Sequence, residues 1–114
     1  MKAPGIKTAI PQRRYKLGDF SVVVLGDIES DDGVDYRYVF ATVQDGAQEP
    51  EFYVLSVRAP GVAGDFALRV LGRELDRELD VSGRWRDLDT FCDQAIALAQ
   101  QVLSLGDEPP HRLM

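Results

Sequence analysis

Apolar and polar residues alternate through most of the first eighty positions, and the pattern changes once, near Leu88. Alternation with a period of two marks strands, and a period near 3.6 marks a helix. Residues 1–13 hold Pro4, Gly5 and Pro11 with no sustained period, which predicts an extended arm. A strand follows from about Tyr15 to Ile28, centred on the β-branched run Val22-Val23-Val24, with Gly18 and Gly26 as bends or bulges. Ser30-Asp31-Asp32-Gly33 signals a turn, because Asp side chains bond nearby backbone and Gly accepts a positive φ. The next strand runs from Val34 to Gln44, and Asp45-Gly46 turns it into a third from Glu51 to Ala59. Pro60, Gly61 and Gly64 form a loop. Asp65 to Leu71 and Glu74 to Val81 read as a hairpin around Gly72-Arg73, although ELDREL also suits a helix.

From Leu88 the apolar residues fall on one half of a helical wheel: Leu88, Phe91, Cys92, Ala95, Ile96, Leu98, Ala99, Val102, Leu103 and Leu105. Asp87 suits the N-cap, Gly106 suits C′, and Pro109-Pro110 prevent continuation. The predicted fold is α+β: an antiparallel, strongly curved meander of about five strands, then one C-terminal amphipathic helix packed on it. One domain over 14–106 is flanked by the arm, 1–13, and by an extended tail, 107–114.

The strands are apolar on both faces. Phe20, Val22, Val24, Tyr36, Tyr38, Phe40, Phe52 and Val54 fall on one; Val23, Leu25, Val39, Ala41, Val43, Tyr53, Leu55 and Val57 fall on the other. One helix covers one face, so curling, the arm or a second subunit must cover the other. No charged residue lies between Asp93 and Asp107, so the helix's polar half is uncharged there. Interface cores are depleted of charge in this way. Gln94, Ala97, Gln100, Gln101 and Ser104 are therefore candidate protein-interface residues, and the expected partner is a second copy of the chain or another protein.

Charge is segregated along the chain. The first eighteen residues hold Lys2, Lys7, Arg13, Arg14 and Lys16 and no acid, whereas the remaining ninety-six carry eight Arg against all nineteen Asp and Glu. The five arm cations and Trp85 are candidate contacts for an anion or single-stranded nucleic acid, with Tyr36, Tyr38 or Trp85 stacking bases. The acidic body repels phosphate and ranks this reading second. The strands-then-helix order resembles that of compact single-stranded nucleic-acid-binding domains of the Whirly type, in element order alone.

Catalytic chemistry finds little footing. Cys92, the one cysteine, falls in the apolar half of the helix beside Asp89 and Asp93, which oppose a thiolate. His111, the one histidine, follows Pro109-Pro110 with no local metal-ligand partner. Asp27, Glu29, Asp31, Asp32 and Asp35 resemble a calcium loop in composition, but the glycine falls at position seven and Tyr38 at position twelve. No Gly-rich phosphate loop or nucleophile elbow occurs. The expectation is a non-enzymatic interaction or assembly module acting as a homodimer, without cofactor or metal. A small-molecule carrier with a pocket between sheet and helix ranks third. The single cysteine, the lack of an apolar run near 18 residues, and an N-terminus without a signal-peptide h-region predict a cytoplasmic protein. Arg outnumbering Lys ten to three suggests a GC-rich bacterial source.

Overall fold

The computed structural model describes residues 3–61 and 64–114. Six strands run in meander order: β1 (Ile6–Leu17), β2 (Phe20–Ser30), β3 (Tyr36–Gln44), β4 (Phe52–Arg58), β5 (Phe66–Gly72) and β6 (Leu75–Ser82). A 3₁₀ turn (Gly83–Arg86), one helix, α1 (Leu88–Val102), and a two-residue strand, β7 (His111–Arg112), complete the chain. All pairings are antiparallel and the strand order is β6-β5-β4-β3-β2-β1-β7, so the sheet is open, with β6 and β7 at its edges.

The meander followed by one helix agrees with the sequence pattern, but the sheet has seven strands rather than about five. The difference lies at the two ends of the chain. The segment predicted to be an arm supplies most of β1, and the single strand expected from Tyr15 to Ile28 is two strands joined at Gly18-Asp19. Gly18 takes φ +56° there, which glycine adopts without steric cost. The tail pairs through β7 with Tyr15 and Lys16, and the amide of Leu113 donates to the carbonyl of Arg14 at 2.8 Å. The last hairpin is a strand pair, not a helix; its two-residue turn is Arg73-Glu74, with Glu74 at φ +59°.

The helix begins as predicted. The Asp87 carboxylate accepts from the Thr90 amide and hydroxyl at 2.9 and 2.8 Å, which holds its pKa below the usual carboxylate range. It ends earlier than Gly106 suggested. Leu103 is the C-cap, and the Leu105 amide donates to the Gln100 carbonyl while that of Ser104 donates to Gln101. This is a Schellman cap with Ser104, at φ +56°, in the place glycine usually takes.

The two apolar faces form two clusters. Helix residues Phe91, Cys92, Ala95 and Ala99, all fully buried, pack with Trp85 against Tyr38, Phe40, Phe52, Val54 and Leu68. On the helix-free side Val39, Ala41, Tyr53 and Leu55 are buried together with Tyr36. The residues split between faces as the alternation predicts, with Tyr36 as an exception. A register shift between Tyr36 and Tyr38 places Arg37 in a bulge, so Tyr36 pairs with Val57 and faces away from Tyr38.

Part of the helix-free face is covered by the chain itself. Three register shifts bend the long β1–β2 pair, and Ile6, Ile28 and Val34 pack onto that cluster. The residues ahead of β1 are tied down as well: the Gly5 amide donates to Asp32 at 2.8 Å, and the Asp31 amide donates to the Gly5 carbonyl at 2.9 Å.

Candidate functional site

Three of the five arm cations pair with acids of their own body. Lys7 pairs with Glu29 at 3.4 Å, Arg13 with Asp89, and Lys16 with Asp45. Arg13 is mostly buried under the start of α1; the ion pair with Asp89 holds its guanidinium above the ordinary arginine pKa, and Nη1 donates to the Tyr15 hydroxyl at 3.3 Å. Its Nε has no hydrogen-bond partner among the described residues. Arg14 is exposed and in no ion pair among the described residues; Lys2 lies outside them.

Trp85 is 3% exposed, its indole Nε1 donates to Asp80 at 3.1 Å, and the Arg84 guanidinium lies over its ring at 4.8 Å. It seals the sheet–helix junction and offers no free face for a base. Tyr38 is buried against Phe91, with ring centroids 5.4 Å apart. Tyr36 is buried, and its hydroxyl donates to Asp32 at 2.6 Å; burial and this bond push the phenol well above its ordinary pKa. The structure therefore does not gather the candidate nucleic-acid residues onto one exposed surface.

Among the candidate interface residues, Gln94, Ala97 and Gln101 are exposed along α1 and Ser104 is exposed in the cap beyond it. Gln100 is half-buried, and its amide donates to the Glu108 carbonyl at 2.7 Å, so it fixes the tail. Cys92 is fully buried, and that burial raises its thiol pKa against the opposing influence of Arg13. Three of the five acids of the hairpin are spent on structure: Asp32 accepts from Gly5, Val34 and Tyr36, Asp35 pairs with Arg58 at 3.0 Å, and Glu29 pairs with Lys7. No group of three metal-ligating side chains occurs among the described residues. No helix among them is long and apolar enough to cross a membrane.

A broad concavity lies on the helix-free side of the sheet. It is a cleft of about 760 Å³ whose lining includes Val34, Val57, Ala59 and Ala67, with Asp35, Arg58, Arg69 and Glu78 around them. A smaller hollow of about 300 Å³ shares Val34, Val57 and Arg69, and reaches from Ala3 and Pro4 to Leu71 and Asp76. Arg69 pairs with Asp76 at 2.7 Å, and Arg58 with Asp35; Glu78 is in no ion pair among the described residues. An apolar floor with a few placed charges is the usual composition of a binding site. Neither Cys92 nor His111 reaches it.

The sequence pattern does not mark these residues as one site. One signal was present: Arg69 interrupts the otherwise apolar strand FALRVLG at a position facing away from the helix. Its meaning depends on β4 and β6 lying on either side, which the order of residues does not reveal. Comparison with protein-family models, with curated proteins and with solved structures finds no match.

Proposed function

We propose that this chain is a non-enzymatic protein-interaction module whose working surface is the helix-free side of the sheet. The observation that carries this reading is the 760 Å³ cleft, which combines apolar side chains with charge and whose lining, among the described residues, holds no hydroxyl, thiol, amine or imidazole side chain. The internal pairing of Lys7, Arg13 and Lys16 supports ranking a protein partner above nucleic acid. Burial of Phe91, Cys92, Ala95 and Ala99 closes the middle of the sheet–helix junction, and the hollow left at its end, beside Phe52, Leu75, Val102 and Leu103, is about 530 Å³, smaller than the helix-free cleft. Filling the cleft with Val57→Trp should remove partners that co-purify with the parent protein from native cells, as read by mass spectrometry. An unchanged partner set from a variant with a native melting profile would overturn this reading.

The outer face of α1 favours a second reading, a homodimer. Gln94, Ala97 and Gln101 present a charge-free exposed strip, and Val102 beside them is 43% exposed. Because the chain itself covers part of the second sheet face, the case for self-association rests on this strip. Sedimentation at micromolar concentration should give about twice the 12.7 kDa chain mass. Gln101→Glu should shift the species toward monomer, since a charge buried at the contact loses water without gaining a partner. A parent protein that stays monomeric over that range would eliminate the dimer.

A further inference from the structure

The cleft borders a strand edge that nothing covers among the described residues. Strand β6 pairs with β5 on one side only, and its outer edge carries unpaired backbone donors and acceptors. Two apolar side chains stand on it, Leu79 at 38% and Val81 at 42% exposure. Leu79 is the extra residue of a bulge, because Leu68 pairs with Asp80 and Arg69 with Glu78.

Charge decides what such an edge accepts. Asp76, Glu78 and Asp80 set against Arg77 make the strand acidic, so pairing it with a second β6 brings like charges together. A basic strand meets no such penalty. In the β5–β6 register Glu78 stands opposite Arg69 and Asp76 opposite Leu71, so both carboxylates lie on the cleft side of the sheet. Val81, opposite Ala67, lies on the same side.

We infer that β6 accepts an extended polypeptide segment with alternating basic and apolar side chains as an additional strand. The segment's main chain bonds the free edge, and alternate Lys or Arg side chains face Asp76 and Glu78. Val81 shares that side and meets the aliphatic stem of a basic side chain, while the segment's apolar side chains fall on the opposite side of the sheet. This rests on the reading of the helix-free side as the working surface, and it names the chemistry of the partner.

The test uses the full chain and four capped seven-residue peptides. One alternates Lys and Val, and one alternates Glu and Val. The other two are Lys–Val peptides N-methylated on one or the other alternate set of amides. Binding is followed by fluorescence anisotropy, and β6 amide protection by hydrogen exchange. The Lys–Val peptide should bind at least about tenfold tighter than the Glu–Val peptide, and rising salt should weaken it. One N-methylated peptide should lose binding and the other keep it, because an edge strand uses alternate amides only. Asp76→Lys combined with Glu78→Lys should reverse the preference between Lys and Glu peptides.

Equal binding by both N-methylated peptides would overturn strand addition in favour of mere charge attraction, a result that needs no protein variant. Absence of Lys–Val binding would overturn it as well. If partner capture still depends on Val57 while the Lys–Val peptide fails, the strand inference falls and the wider reading stands. If Val57→Trp changes no partner while the peptides behave as expected, the wider reading falls and the edge site stands.

Discussion

Phe91→Ala should cost the fold about 3–5 kcal/mol, the range for deleting a fully buried aromatic side chain. Phe91 is 0% exposed, and its ring meets Tyr38 at 5.4 Å. Its helix neighbours at the sheet are small: Cys92, Ala95 and Ala99 are also 0% exposed. Small contact residues let the helix approach the sheet closely, and they cannot expand into the space a lost ring leaves. A domain of this size is stable by about 5–15 kcal/mol, so the loss is a large share of the total. Urea denaturation should show a much lower midpoint with an unchanged slope. Val102→Ala, at a position 43% exposed, should change the midpoint far less. A cost below about 1 kcal/mol for Phe91→Ala would mean that α1 is not anchored to the sheet through this ring.

Stability should also fall steeply in alkali. Four groups have folded pKa values raised above ordinary ones, in each case chiefly by burial: Tyr15, Tyr36, Tyr53 and Cys92. Asp32 adds to the rise at Tyr36 by accepting the phenolic proton, and Glu49 adds to it at Tyr53. Arg13 opposes the shift at Tyr15 and at Cys92. In the unfolded chain the thiol ionises near ~8.5 and the phenols near ~10, before their folded counterparts do. The unfolded state therefore binds fewer protons in that window, and unfolding becomes more favourable as pH rises. Below the unfolded pKa values the stabilisation is complete; it is lost as pH climbs toward the folded ones. Each group contributes a slope of about 1.4 kcal/mol per pH unit while protonated only in the folded state. Chemical denaturation at a series of pH values from about 8 to about 11 measures this directly. Tyr36→Phe should reduce the slope above pH ~10 by one proton's worth. A flat profile across that range would show that these phenols titrate alike in both states.

What the sequence by itself determined is what local periodicity controls. The apolar residues Phe91, Cys92, Ala95 and Ala99 can be buried together only on a helix, and Asp87 supplies the bonds that start it. The alternation in β2, β3 and β4 partitions Val22, Val24, Phe40 and Val54 from Val23, Leu25, Val39 and Leu55, because a strand's side chains switch faces at each residue. Tyr36 breaks that rule through a single bulge at Arg37, which depends on how β3 meets β4.

Tertiary structure decided the rest. Residues 6–13 have no period of their own, yet they form a strand because β2 offers them hydrogen-bond partners and Glu29 and Asp89 neutralise Lys7 and Arg13. The charge contrast between arm and body was legible, but pairing partners many residues apart were not. Trp85 was legible as an aromatic between two arginines; that Asp80 and Arg84 enclose it followed only from the fold. The cleft is the clearest case. Val34, Val57, Ala67, Arg69 and Glu78 come from separate parts of the meander, and only strand order and register bring them to one face. Periodicity reports which side of its own strand a residue takes, whereas a concave site is made by the neighbours each strand acquires.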